Sequence, residues 1–182
     1  MRVRPVIVAS VSWGNDSVAL VRWLYERGER DVVCVYCDTG WASKDWPARV
    51  EDGERLARSY GFGTERLARP GGFVELARLK KAFPRNGMQF CTSKLKIEPF
   101  AAYLAAADPA GEATVAIGIR REESAKRATW PEWTTASEQH GGRDLWAPLV
   151  RGQVHGRARH PRDRSVGAER ARAVRAAGRV RL

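Results

Sequence analysis

Residues 5–24 read PVIVASVSWGNDSVALVRWL, and this stretch decides the fold. Val6, Ile7, Val8, Ala9 and Val11 form a short apolar run rich in β-branched residues, the composition of a strand buried on both faces. Ser12, Trp13, Gly14, Asn15, Asp16 and Ser17 follow without a spacer. Val18, Leu20, Val21 and Leu24 then recur at helical spacing, with Arg22 and Glu26 on the opposite side. The chain is therefore expected to pass from strand through a tight polar loop into an amphipathic helix. Such a junction favours an anion, because the first helical turn carries N–H groups without intrahelical partners and the helix dipole attracts negative charge there. Ser12 and Ser17 add hydroxyls, Gly14 lets the backbone approach a phosphate closely, and Asp16 suits a helix cap or a magnesium ion. A well-capped turn with no ligand has the same composition, so the loop alone leaves both readings open.

The chain has 182 residues, which suits one domain of ordinary size with a real core. No apolar run approaches membrane-spanning length and the start lacks the apolar region of a signal peptide, so a cytoplasmic protein without membrane contact is expected. Cys34, Cys37 and Cys91 are the only cysteines; an odd, small number argues against a disulfide framework and fits a reducing compartment. The net charge of +11 is unevenly spread: from residue 151 onward, ten arginines stand against Asp163 and Glu169, which leaves only +3 for residues 1–150. The basic character belongs to the tail.

Outward from the first helix, Val32 to Tyr36 reads as a second buried strand ending in Cys37-Asp38-Thr39-Gly40. Ligands of open α/β sheets gather beyond the carboxyl ends of strands, which puts Asp38 and Thr39 on the same edge as the polar loop. Asp38 could accept hydrogen bonds from a ribose or an adenine amino group, or close an Asx-type turn. Cys34 and Cys37 have C-x-x-C spacing, but within a strand they face opposite sides, so core packing is the expected role. A helix is expected from Ser43 or Lys44 to Tyr60, stopped by Gly61, then a short strand over Thr64 to Ala68 and a helix from Phe73 to Lys81. Residues 83–87, ending in Asn86-Gly87, read as a turn. Lys94 and Lys96 could meet a substrate phosphate or sulfate, or be ordinary surface lysines at a helix start. Thr114 to Ile119 reads as a central strand running into Arg120, Arg121, Lys126 and Arg127, four cations that suit a polyanion or, equally, a charged helix face. His140 is expected in an exposed loop without a partner, ahead of the returning segment Leu145 to Val150.

Ser12-Trp13-Gly14-Asn15-Asp16-Ser17 resembles the S-G-G-x-D-S loop of the PP-loop superfamily, adenine-nucleotide binders that include ATP pyrophosphatases and phosphoadenylyl-sulfate (PAPS) reductases. It is not a Walker A loop, since no G-K-[ST] is present. Asp38-Thr39-Gly40 is similar to the D-T-G that follows the second strand in PAPS-reductase relatives. Gly118-Ile119-Arg120-x-x-Glu123-Ser124-x-x-Arg127 resembles their G-x-R-x-x-E-S-x-x-R element. Cys91, Lys96 and Pro99 fit a C-C-x-x-x-K-x-x-P element in which Thr92 takes the second cysteine's place. The likeness covers about residues 5 to 150 and is particularly to phage-encoded members with an N-D-S loop. Two departures stand out. Trp13 replaces the family's first glycine, so strain or a steric block is expected at that position. Asn15 stands where many relatives have lysine, which removes one positive charge.

The resemblance implies a Rossmann-like, doubly wound α/β fold of about five mostly parallel strands with helices on both faces. Residues 1–150 would form a PP-loop nucleotide-binding domain, and residues 151–182 a divergent or partly disordered basic tail. The implied ligand is ATP or PAPS, with Ser12, Gly14, Asn15, Asp16 and Ser17 at the phosphates, Asp38 and Thr39 at the nucleoside, and Gly118, Arg120, Glu123, Ser124 and Arg127 completing the site. Lys94, Lys96 and Arg121 would meet the substrate anion, and Asp16 would hold any magnesium. Reduction of PAPS needs a thiolate and a thioredoxin-like reductant. Cys91 is the thiol nearest the expected site, and the cysteine-bearing end of many relatives is missing. A four-cysteine iron–sulfur cluster needs four thiolates, and the chain has three cysteines. Two alternatives stand beside a PAPS-reductase-like enzyme: an ATP pyrophosphatase that adenylates a nucleic acid or small molecule, and a catalytically inactive nucleotide or nucleic-acid binding module. The tail's charge density would also suit nucleic acid.

Overall fold

The computed structural model describes residues 6–85, 89–125 and 127–151. The turn dipeptide Asn86-Gly87, Lys126 and the expected basic tail beyond residue 151 lie outside the described residues. In chain order the strands are β1 (Ile7–Val11), β2 (Val32–Asp38), β3 (Gly63–Ala68), β4 (Thr114–Ile117), β5 (Trp133–Ser137) and β6 (Arg143–Trp146). The helices are α1 (Asn15–Glu26), α2 (Trp46–Ser59), α3 (Gly72–Lys80), the single turn α4 (Phe90–Thr92) and α5 (Glu98–Ala107), with a π turn over Ser93–Ile97 joining the last two.

The strands form one sheet in the order β3-β2-β1-β4-β6-β5. Every pairing is parallel except β5 with β6. The fold is thus the expected Rossmann-like α/β arrangement, with six strands where about five were expected. The added strand is the antiparallel edge strand β5. It carries no buried residue of its own and is held by stacking of Trp133 on Trp146, whose ring centroids lie 5.0 Å apart. No apolar alternation announces such a strand.

Alternation along β1 and β2 divides the core between the two faces of the sheet. Ile7, Ala9 and Val11 of β1 pack with Cys34 and Tyr36 of β2 beneath Leu20, Val21 and Leu24 of α1 and Val50 and Ala57 of α2. Val6, Val8, Val33 and Val35 face the other side, against Phe100, Leu104 and Ala107 of α5. Cys34 belongs to the first cluster and Cys37 packs beside the second, so the two thiols do face opposite ways. A third small cluster of Phe73, Leu76 and Leu95 seats α3 on the π turn. Among the described residues, no helix is long and apolar enough to cross a membrane.

From β1 the chain winds outward through β2 and β3, then crosses to β4 on the other side of β1. The winding direction therefore reverses between β1 and β4. In open α/β sheets the crevice at such a reversal, beyond the carboxyl ends of the strands, is where ligands bind.

Candidate functional site

The loop after β1 and the loop after β4 meet at this crevice. Gly118 makes the approach possible: a Cβ there would lie 2.8 Å from the Asp16 carbonyl oxygen, so any other residue would push the end of β4 off the start of α1. β4 accordingly ends at Ile117, two residues before the expected Ile119. Arg120 then reaches across, its Nε 2.6 Å from Asp16 Oδ1 and its Nη2 donating to Asp16 Oδ2 at 3.3 Å. Two motifs 104 residues apart in sequence are joined by this one pair.

Within the first loop the serines hold each other. The Ser12 N–H donates to Ser17 Oγ at 2.9 Å and the two hydroxyl oxygens lie 3.1 Å apart, while the Gly14 N–H donates to Ser12 Oγ at 3.4 Å. Gly14 is the N-cap of α1 and, among the described residues, no side chain caps the first turn. The start of α1 therefore keeps its backbone donors for an anion.

Trp13 is not the block expected from its size. Its indole is fully buried, with the α1 and α2 side chains in the core, and presses on Gly53 of α2, where an added Cβ would clash with the ring. The strain expected there is present, since Trp13 has φ 60°, in the left-handed region. Its indole N–H has no hydrogen-bond partner among the described residues.

Asn15 has gained a cation that its own sequence position lacks. Arg49 of α2 donates from Nε to the Trp13 carbonyl at 2.6 Å and from Nη2 to Asn15 Oδ1 at 2.5 Å. Neither Arg49 nor Gly53 stands in a motif. On a helix dense with charged residues one more arginine and one glycine carry no pattern, and only the fold brings them to the loop.

Asp38 lies exposed at the end of β2 and accepts the Gly40 N–H at 2.8 Å, which is the Asx-type turn. The Thr39 carbonyl accepts the Phe73 N–H at 2.8 Å and its hydroxyl accepts the Trp41 N–H at 3.3 Å, fixing this loop against α3. Beyond β4, Glu123 accepts the Arg120 N–H at 3.1 Å through one carboxylate oxygen and ion-pairs with Arg127 through the other. Ser124 offers its carbonyl to the Arg127 and Ala128 N–H groups. Arg121 turns away to the Trp130 carbonyl at 3.2 Å.

The lysine segment sits on the π turn. Lys94 is ion-paired with Glu98 at 2.6 Å, while the Lys96 carbonyl accepts the Cys37 thiol at 3.5 Å. Cys91 is half-buried beside the cluster of Phe73, Leu76 and Leu95. Burial pushes the Cys34 thiol up to about 12 and the Cys37 thiol up to about 11, the nearby Lys96 offsetting part of the latter. His140 departs from expectation: it is half-buried, its Nδ1 lies 2.8 Å from Ser137 Oγ, and its ring meets Phe100 edge-on.

The donor set for a metal was also tested. Both Asp16 oxygens are taken by Arg120, and no group of three or more His, Cys, Asp or Glu side chains is gathered for a metal ion among the described residues. The residues as placed do not fit a protein-held metal cage at Asp16.

A comparison with protein families matches residues 6–154 to the phosphoadenosine phosphosulfate reductase domain. A comparison with curated proteins gave no match.

Proposed function

The chain belongs to the phosphoadenosine phosphosulfate reductase domain family, and from that membership we propose that it binds an adenine nucleotide, ATP or PAPS, in the crevice between β1 and β4. The observation that carries the reading is the Arg120–Asp16 pair, which sets the second motif's arginine at the mouth of the first motif's loop. In this reading the uncapped start of α1 and the Ser12 and Ser17 hydroxyls hold phosphate, and Asp38 and Thr39 face the nucleoside. Arg120 and Arg127 meet the terminal anion, exchanging Asp16 and Glu123 for ligand oxygens. Lys94, Lys96 and Arg121 form the outer rim, and residues 1–150 act as the binding unit with the basic tail as an appendage.

Reductase chemistry needs a thiolate to attack the sulfate sulfur and displace the nucleotide, with a thioredoxin-like dithiol then releasing sulfite. Cys34 and Cys37 are held as neutral thiols well above neutral pH, which leaves Cys91 as the candidate nucleophile. That scarcity favours a second reading, ATP pyrophosphatase chemistry, in which a substrate oxygen attacks the α-phosphate and pyrophosphate leaves. No cysteine is required for it.

Calorimetric titration of ATP and PAPS into the intact protein and Ser17→Ala tests the site. Removing Ser17 takes away a donor and unties Ser12, so affinity should fall roughly tenfold or more. Equal affinity in the variant would remove the loop from the site. Sulfite release from PAPS with thioredoxin then supports reduction, pyrophosphate release from ATP supports adenylation, and binding with neither product supports a binding module.

A further inference from the structure

Arg49 is bound differently from three of the cations the motifs supply. Arg120 is neutralised by Asp16, Arg127 by Glu123 and Lys94 by Glu98. The two hydrogen bonds of the Arg49 guanidinium go instead to neutral acceptors, the Trp13 carbonyl and Asn15 Oδ1, and its Cζ lies 5.6 Å from the centre of the Trp46 ring. No carboxylate pairs with it among the described residues, and the residue is exposed. A guanidinium has five N–H donors, so three remain after those two bonds. The contacts fix its plane and position, which lowers the entropic cost of accepting a ligand.

We propose that Arg49 is a phosphate-binding residue of the nucleotide site, a fixed cation supplied by α2 beside the start of α1 that selects for polyphosphate over uncharged ligands. The proposal rests on the nucleotide reading above and extends it to a residue outside every motif. Asn15 then has a definite task, since it orients the guanidinium. An unbalanced positive charge at the loop also gives the empty protein a reason to attract a polyanion before Asp16 and Arg120 separate.

The test compares ATP with adenosine, binding of each being followed by ligand-observed NMR and calorimetry in the intact protein and in Arg49→Gln. A lost charge-assisted contact should weaken ATP about tenfold or more and leave adenosine within about twofold. Equal losses for both ligands would make Arg49 a mere support of the loop, and unchanged ATP binding would remove it from the site; either overturns the proposal. If the intact protein binds no ATP, the nucleotide reading falls and this inference with it. Should Arg49→Gln fail to fold, Arg49→Met serves: it keeps the apolar stem without the charge, and a loss confined to ATP supports the proposal while equal losses or none overturn it.

Discussion

Trp13 combines a left-handed backbone with a buried N–H that has no partner among the described residues. The first costs about 1–2 kcal/mol and the second about 1–3 kcal/mol. Truncating a buried aromatic costs roughly 3–5 kcal/mol, so packing of the indole between α1 and α2 outweighs either penalty and holds the loop backbone where it is. The sequence departure that suggested a blocked site is therefore a core residue, and Gly53 is its socket. Trp13→Gly should relieve the backbone yet still destabilise by roughly 2 kcal/mol, because the emptied socket costs more than the strain. Gly53→Ala should also destabilise, by about 1–3 kcal/mol, from overpacking against the ring. The double variant should lose clearly less than the two added together, read from urea midpoints; strict additivity would mean that the two residues do not share the space.

At the scale of elements, the carboxyl edge is built by strand ends and clamped from behind by a buried ion pair. Arg143 of β6 is 5% exposed and donates from Nε to Asp108 Oδ2 at 2.9 Å and from Nη2 to the Leu104 carbonyl at 2.9 Å and the Asp108 carbonyl. Asp108 also accepts the Ala113 N–H at 2.9 Å. The end of α5, the start of β4 and the start of β6 are joined through one guanidinium. Arg143→Ala strands a buried carboxylate and two carbonyls and should cost about 3–5 kcal/mol in thermal or urea unfolding. Arg55→Ala, at a pair whose side chains are both more than two-thirds exposed, should leave the midpoint nearly unchanged. On the same face of the sheet as α5, the Cys37 thiol donates into the π turn and is pushed up to about 11. At pH 8 only about one molecule in a thousand would carry that thiolate, so alkylation of Cys37 followed by peptide mapping should be slow at pH 8 and accelerate toward pH 11. Rapid labelling at pH 8 would show that the thiol is not held in this way.

Across the whole molecule, the sequence announced what is buried on both sides and what ends a central strand. The apolar runs of β1 and β2 need no partner to be recognised, and the Gly118–Arg127 spacing follows from one loop's geometry. The antiparallel β5 had no such signal, because its place depends on Trp133 meeting a tryptophan 13 residues further on. Arg49, Gly53 and the partners of His140 were equally invisible, since each acquires its role from another element. His140 gives the last expectation, on global stability. Burial first, and then the neighbouring Arg143, lower its pKa from the usual 6.5, so the unfolded chain takes up the proton before the folded one. Its contribution is intact above pH 6.5 and is lost as pH falls below that value toward the folded pKa. Burial raises the Glu65 carboxyl, which has the opposite sign: the folded state takes up that proton first, and its contribution is regained as pH falls. That effect is centred lower, because a carboxyl titrates from 4.5 upward. The urea midpoint should therefore drop between pH 7.5 and 5.5, and His140→Gln should flatten the drop. An equal drop in the variant would mean that other groups drive it.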